Sequence, residues 1–192
     1  MEIRLHNPAD AAALAAEIWP IYQEVFGDFD TYEHWRTDLY ERHASRDGYR
    51  LVTAVDGTPG GSTAVDGTPG GSTAGDGAAG DGSRVVGFGW GYTGQRGQYW
   101  SDLVCDALPA AITDEWVGGH FELVELAVLP AYRGRGLGRA LHDKLLESVT
   151  SRCLLSTSDS ADDPAVGLYV SAGWWKLGVL RPGVQVMGRL AA

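Results

Sequence analysis

The segment YRGRGLGRAL, residues 132–141, concentrates residue types that bind anions. Basic and glycine positions alternate along it: Arg133, Gly134, Arg135, Gly136, Gly138 and Arg139. Glycine lets an anion approach the main chain, the backbone N–H groups of such a turn point at one spot, and a following helix adds favourable potential. Arginine side chains then supply charge-assisted hydrogen bonds to phosphate oxygens. The segment therefore predicts a binding site for a pyrophosphate.

The spacing of these residues excludes the two commonest phosphate-binding loops. The dinucleotide fingerprint G-x-G-x-x-G fails because position 139 is arginine, and the Gly-Lys-Ser/Thr ending of the P-loop is missing from the segment. What remains is R-x-x-G-x-G, from Arg133 to Gly138, which follows the apolar stretch 121–129. The pattern indicates a strand that runs through a glycine-rich turn into a helix.

This motif resembles the acetyl-CoA pyrophosphate loop of the GNAT superfamily of N-acetyltransferases. The segment DDPAVGLYVSAGW, residues 162–174, is similar to a later motif of that family, in which a Leu-Tyr pair precedes a Gly-aromatic pair. The resemblance implies acetyl-CoA as the cofactor and direct transfer of its acetyl group to an amine. It also implies that main-chain N–H groups near Leu126 and Val128 hold the thioester oxygen.

The resemblance implies two catalytic roles as well. An attacking amine must be neutral, yet an alkylammonium has a pKa of about 10.4, so a base must remove a proton. The strand FELVELAV, residues 121–128, is similar to the strand that carries this base in aminoglycoside 6′-N-acetyltransferases, and the base falls on Glu122. Tyr169 falls on the tyrosine that protonates the leaving thiolate.

Glu125 is the second carboxylate of this strand. It lies three positions after Glu122, so the two side chains face opposite sides in a regular strand. Only one of them then points at the amine, unless a bulge re-aims the other. We interpret Glu125 as a substrate or structural contact. The alternative for both carboxylates is that they only pair with arginines or face solvent, and the alternative for Tyr169 is a position in the core.

The acceptor is predicted to be a small cationic amine, either aminoglycoside-like or polyamine-like. Trp19 and Tyr22 in the first helix, together with nearby aspartates, suit a cation, although aromatic residues there also suit a core. His120 is either a substrate contact or part of a solvated turn. Two other functions stay open: acetylation of a protein lysine or amino terminus, and a non-catalytic sensor that binds CoA.

Composition limits the partners of the chain. The 192 residues carry a formal net charge of −10, which argues against binding to nucleic acid or to an anionic membrane. Neither a secretion signal nor an apolar run long enough to cross a membrane is evident, so a cytoplasmic location is expected. Two cysteines are too few for a disulfide framework or a cysteine-built metal site. The expected partners are the amine and, at most, a second copy of the chain.

A decapeptide repeat interrupts the chain. TAVDGTPGGS occupies residues 53–62 and again 63–72, and a degenerate copy fills 73–83. Such a composition buries too little apolar surface to offset the entropy of ordering it. We therefore predict one acetyltransferase domain over residues 1–192, with a flexible loop at 55–83 at the tip of a β-hairpin.

The remaining elements follow from hydrophobic periodicity and from cap and turn residues. Strands are predicted at 1–6, 49–54, 84–92, 120–130, 152–158, 174–180 and 184–190, and helices from 8, at 31–46, at 136–149 and from about 162–164. Residues 98–117 are predicted to be helical in part. This order mixes hairpins with crossovers, which favours an α/β fold with a central sheet and helices on both faces. The resemblance implies a mixed, mostly antiparallel GNAT-type sheet of about six to seven strands.

Overall fold

The computed structural model describes residues 1–57 and 83–191 and contains one seven-stranded sheet in the order β1-β2-β3-β4-β5-β7-β6. The strands are β1 (Glu2–His6), β2 (Arg50–Asp56), β3 (Arg84–Gly94), β4 (His120–Val128), β5 (Cys153–Ser158), β6 (Trp175–Arg181) and β7 (Val184–Arg189). Strands β4 and β5 pair in parallel, and the other neighbours pair antiparallel. The predicted mixed, mostly antiparallel sheet is confirmed.

The helices lie close to the predicted positions. They are α1 (Pro8–Val25), α2 (Tyr32–Trp35), α3 (Glu41–Ala44), α4 (Tyr99–Ala107), α5 (Ala110–Trp116), α6 (Leu137–Leu145) and α7 (Pro164–Ser171). The predicted helix 31–46 is interrupted by a π-helical turn at Arg36–Tyr40, which separates α2 from α3. The uncertain stretch 98–117 forms two helices, because Leu108, the residue before Pro109, is extended and separates the end of α4 from α5.

Helices cover both faces of the sheet. Tyr22 of α1 stacks on Phe88 of β3, which places α1 on one face. Gly87, the preceding residue of β3, faces the opposite side, where its missing side chain admits Leu141 of α6. Helices α4 and α5 pack in a second apolar cluster with β5, β6 and β7, in which Leu154 is fully buried.

Two irregularities of β4 decide the geometry of the candidate site. The register against β3 shifts between Trp90, which pairs with Glu125, and Gly91, which pairs with Leu123, so Val124 is an extra residue in β4. The pairing of β4 with β5 covers two residue pairs, the second being Glu122 with Leu154. Beyond Glu122 the two strands separate, and the β5-facing edge of β4 has no strand partner among the described residues.

The repeat falls mostly outside the described residues. The predicted loop at 55–83 begins too early, because Val55 and Asp56 are strand residues of β2, and residues 58–82 are not described. Gly57 and Ser83, which flank the undescribed residues, approach closely: a Cβ on Gly57 would lie 2.7 Å from the Cα of Ser83. Within residues 1–57 and 83–191, no helix is long and apolar enough to cross a membrane.

Candidate active site

The glycine-rich turn joins β4 to α6. A short 3₁₀ turn follows β4, and Gly134 and Gly136 then take φ angles of 72° and 77°, a left-handed conformation that glycine adopts without strain. Helix α6 begins immediately afterwards at Leu137. The first N–H groups of a helix have no partner within it, so the turn and the first residues of α6 present backbone donors together.

A cavity of about 510 Å³ opens over this turn. Its walls come from the end of β4, the turn, α6 and α7, and include Leu126, Val128, Arg133, Gly134, Gly136, Gly138, Arg139, Leu168 and Tyr169. A Cβ built on Gly134 or Gly136 would meet no atom within 4 Å, so the main chain is open to a ligand at both positions. Backbone donors and two arginines fit a pyrophosphate, and the apolar residues fit an uncharged arm of a cofactor such as acetyl-CoA.

The three arginines of the turn have different surroundings. Arg133 Nε donates to the carbonyl oxygen of Val128 at 3.0 Å, and Arg139 Nε forms an ion pair with Asp143 at 2.7 Å. Arg135 donates to a backbone carbonyl and lies over the ring of Tyr132, and it is not among the residues that line the cavity. The structure therefore brings Arg133 and Arg139 to the predicted site and turns Arg135 away from it.

Tyr169 lies in the wall of the cavity on α7. Asp163 caps this helix by accepting the N–H of Ala165, and the ring of Tyr169 packs against His142 and Trp174. Burial, with the nearby carboxylates of Glu125 and Asp163, raises the pKa of the Tyr169 phenol. A phenol of ordinary pKa, about 10, already carries its proton at neutral pH, and the raised pKa makes the Tyr169 hydroxyl a weaker acid.

Glu122 is buried on the opposite side of β4 from α6. Its side chain is 5% exposed, and Tyr92 of β3 donates its hydroxyl hydrogen to Glu122 Oε1 at 2.9 Å. Burial raises the pKa of the Glu122 carboxyl to about 7, against the opposing effects of Tyr92 and the Arg46 guanidinium. A carboxylate with a pKa near neutrality suits a general base.

The extra residue in β4 brings Glu125 to the same face as Glu122. Directly paired residues of neighbouring strands share a face, and Trp90 and Tyr92, the partners of the two glutamates, are two positions apart in β3. The expectation for a regular strand is therefore wrong here, and the bulge re-aims one carboxylate. Burial and the negative charge of Asp28 raise the pKa of Glu125 to about 8.

The predicted substrate contacts lie in different environments. Tyr22 is 1% exposed in the aromatic core, stacked on Phe88 and Trp90, and Trp19 is half-buried beside it. His120 is 1% exposed, so the alternative of a solvated turn is wrong: β4 begins at His120 and buries its ring. Its Nε2 lies 4.0 Å from Glu122 Oε2.

Two residues around Glu122 were not predicted from the sequence. Tyr92 holds one carboxylate oxygen, and the guanidinium of Arg46 lies 4.8 Å from the centre of the Tyr92 ring. Alternation along β3 places Tyr92 on one face, but the pairing register that sets it opposite Glu122 is not readable from local sequence. Arg46 follows α3, and nothing in the local sequence indicates that its side chain lies beside Tyr92.

Comparisons with known proteins agree with this geometry. Residues 12–174 match the model of the acetyltransferase (GNAT) family. The chain is 30% identical over 175 residues to a GCN5-like protein acetyltransferase of Mycobacterium tuberculosis, an alignment that covers 87% of this chain and 84% of the relative.

Two solved structures share the fold across nearly the whole chain. The crystal structure of aminoglycoside 6′-acetyltransferase type Ii superposes with a TM-score of 0.55 at 18% identity and covers 100% of this chain and 98% of that one. The PaiA N-acetyltransferase of Thermoplasma acidophilum, in complex with coenzyme A, superposes with a TM-score of 0.51 at 11% identity, and 99% of each chain is covered. The chain belongs to the GNAT family and is an N-acetyltransferase that uses acetyl-CoA.

Proposed function

We propose that the enzyme acetylates a primary amine directly, with Glu122 as the general base. The observation that carries this proposal is the buried Glu122 carboxylate, held by Tyr92 at the point where β4 and β5 separate. An ammonium group loses its proton with a pKa of about 10.4 in water, so a carboxylate whose pKa is raised to about 7 is a better acceptor than an ordinary glutamate.

The glycine-rich turn would hold the cofactor. Gly134, Gly136 and Gly138 present the main chain to its pyrophosphate, and Arg133 and Arg139 lie at the edge of the same cavity. Acetyl-CoA supplies the thioester-activated acetyl group. Leu126 and Val128 lie in the same cavity wall, on the strand whose edge is freed from β5, so their main chain suits binding of the acetyl oxygen.

Tyr169 would supply the proton that the leaving thiolate needs. Tyr169 lines the cavity that would hold the cofactor, and a tyrosine hydroxyl carries a proton at neutral pH. Tyr169→Phe removes the hydroxyl and keeps the ring that packs on Trp174. We expect kcat to fall on the order of 10²-fold, the lower end of general-acid effects, with the melting temperature unchanged. A kcat equal to that of the unmodified enzyme would remove Tyr169 from the mechanism.

For the acceptor, we propose a small cationic amine. Three carboxylates support this: Glu122 and Glu125 on one face of β4, and Asp28, whose charge acts on Glu125. The pKa values of Glu122 and Glu125 are raised to about 7 and about 8, and an ammonium group beside them would favour their charged forms. Tyr22 is a core residue and is left out of this proposal, whereas the half-buried Trp19 stays a predicted substrate contact.

A protein amine is the second candidate. A separate cavity of about 480 Å³ is lined by Tyr99, Trp100, Leu103, Ser156, Leu180, Arg181 and Val184. Trp100 lies 6.2 Å from the ring of His120, so this cavity adjoins the Glu122 region. Its apolar lining and single arginine suit a peptide side chain better than a polycation, and the GCN5-like relative is named a protein acetyltransferase.

Release of the free thiol from acetyl-CoA tests both candidates. The purified enzyme is assayed against aminoglycosides, polyamines, lysine peptides and peptides with free amino termini. We expect turnover with the small cationic amines, and turnover with peptides alone would favour the second candidate. Tight binding of acetyl-CoA with no turnover across the panel would contradict the proposed transfer to these amines and favour a sensor that binds CoA.

A further inference from the structure

His120 and Glu122 form a buried pair of polar side chains behind the proposed base. The two residues lie two positions apart in β4 and therefore on one face. His120 Nε2 and Glu122 Oε2 are 4.0 Å apart, and both atoms are buried without a hydrogen-bond partner in the part of the chain that the structure describes. Buried polar atoms are rarely left unpaired, so this pair needs an explanation.

The tautomer of His120 follows from its surroundings. The backbone N–H of Gly118 points at His120 Nδ1 at 3.1 Å, and a backbone N–H is always a donor, so Nδ1 accepts. Burial and the positive charge of Arg152 lower the pKa of His120 to about 4, which keeps the ring neutral at pH 7. A neutral ring that accepts at Nδ1 carries its hydrogen on Nε2, the atom that faces Glu122.

The ring is also held in place from β3. Gly94 pairs with His120, and any Cβ on Gly94 would collide with the Nε2 edge of the imidazole. The missing side chain therefore leaves the space that the ring occupies. Trp100 of α4 lies on the other side, 6.2 Å from ring to ring. The N–H donor of His120 is positioned by packing and is not free to turn away.

We propose that His120 is a positioning residue for the base: its Nε2–H donates to Glu122 Oε2, through one water or a closure of about 1 Å, while Tyr92 donates to Oε1. The two donors then fix the plane of the carboxylate from both oxygens. Each oxygen retains a lone pair for the proton of the amine. This assignment rests on the proposed role of Glu122 and gives His120 a function other than the substrate contact that we predicted.

Loss of the His120 donor is expected to change the ionisation of Glu122. The other titratable or charged groups near the pair are Tyr92 on β3, His43 and Arg46 at the end of α3, Glu125 on β4 and Arg152 before β5. All of these remain in a His120 variant. A hydrogen bond to the charged form lowers a carboxyl pKa, so its removal raises the pKa of Glu122.

Two matched variants test the proposal through the pH profile of kcat. His120→Asn keeps a polar atom near Nδ1 for Gly118 and loses the donor at Nε2, whereas His120→Gln places an amide N–H near the Nε2 position. We expect the acid limb of kcat to move up by about one pH unit in His120→Asn, a roughly fivefold loss at pH 7, and to stay within about 0.3 unit in His120→Gln. Equal losses in both variants without a shift of the limb would overturn the proposal.

Two NMR measurements test the same proposal without turnover. In the unmodified protein, the ¹⁵N shifts of His120 should show a protonated Nε2, and a protonated Nδ1 would overturn the assignment. The ¹³Cδ titration of Glu122, assigned with Glu122→Gln, should move up in His120→Asn and not in His120→Gln. If these results hold while no amine is acetylated, the proposed function fails and the His120–Glu122 interaction stands.

Discussion

The glycine-rich turn and the Glu122 region lie on the two sides of β4 and use opposite means. The turn consists of consecutive residues, and it offers main-chain N–H groups and exposed arginines to a cavity open to solvent. The Glu122 region is assembled from β3, β4 and the segment after α3. Its Tyr92, His120 and Glu122 side chains are buried, and Arg46 is half-buried. The turn is suited to binding a strongly charged group. The Glu122 region is suited to removing a proton from a weakly acidic ammonium group.

The difference follows from what each ligand requires. A pyrophosphate is charged at every relevant pH, so exposed donors and cations can bind it without a shift in the pKa of any protein group. A base for an ammonium group must hold a proton near pH 7, and burial is what moves the pKa of Glu122 into that range. Substitutions in the glycine-rich turn should therefore weaken the affinity for acetyl-CoA. Substitutions in the Glu122 region should lower turnover.

The largest effect is expected from Glu122→Gln. This change keeps the shape of the side chain and removes the base, so kcat should fall by about 10²- to 10³-fold. The dissociation constant for acetyl-CoA, measured by calorimetry, should stay within about twofold, because the cavity wall does not include Glu122. Glu125→Gln is the matched control and should cost less than about tenfold. A larger loss of kcat in Glu125→Gln than in Glu122→Gln would make Glu125 the base.

The pH dependence of kcat at saturating amine should show a smaller effect. Glu122 acts as a base only when ionised, and its pKa is raised to about 7. Its ionised fraction, and kcat with it, should fall by about tenfold between pH 8 and pH 6. A slope that persists in Glu122→Gln would assign this limb to another group.

The titration of Glu122 should also affect the free energy of unfolding, which should fall as the pH rises. Because the pKa of Glu122 is higher in the folded state than the usual 4.5, folding is favoured by its protonated form, and this contribution is lost as the pH rises from about 4.5 to 7. Glu122→Gln should therefore gain stability relative to the unmodified enzyme above pH 7, by on the order of 1–3 kcal/mol, and not at pH 4. Urea unfolding at the two pH values measures this difference.

Gly136→Ala should affect the turn alone. Alanine at a φ of 77° costs about 1–2 kcal/mol, and relaxation of the turn would misalign its N–H groups. We expect acetyl-CoA to bind about tenfold more weakly, with kcat at saturation nearly unchanged. Gly183→Ala, at a φ of 82° in the β6–β7 turn, imposes the same strain away from the cavity. Equal losses of affinity in both variants would indicate a general destabilisation.

Replacement of residues 58–82 by a short turn should have the smallest effect. Gly57 and Ser83 already approach closely enough to be joined. The cost of loop closure rises by only about 0.6 kcal/mol for each doubling of length, so stability should rise by less than about 2 kcal/mol. Neither kcat nor the affinity for acetyl-CoA should change by as much as twofold. A larger loss in either would connect the repeat to one of the two regions.

Local sequence signals were sufficient for most of the fold. Asn7 and Pro8 predicted the start of α1, and the structure shows Asn7 accepting the N–H of Asp10 at 3.1 Å. Alternation and helical periodicity located the strands and long helices, because these patterns reflect which face of an element is buried. The π-helical turn at Arg36–Tyr40 was not predicted, since it depends on how Trp35 and Tyr40 pack together in the core.

The sequence by itself also determined the glycine-rich turn, because consecutive residues supply its φ angles, its donors and the start of α6. The tertiary structure alone decided which face Glu125 takes, that Tyr22 belongs to the core and that His120 is buried beside Glu122. Those outcomes depend on strand register, on a bulge opposite Gly91 and on helix packing. Register, bulge and packing bring together residues that are distant in the chain. The pKa of Glu122 depends on these contacts, because burial is a property of the assembled fold.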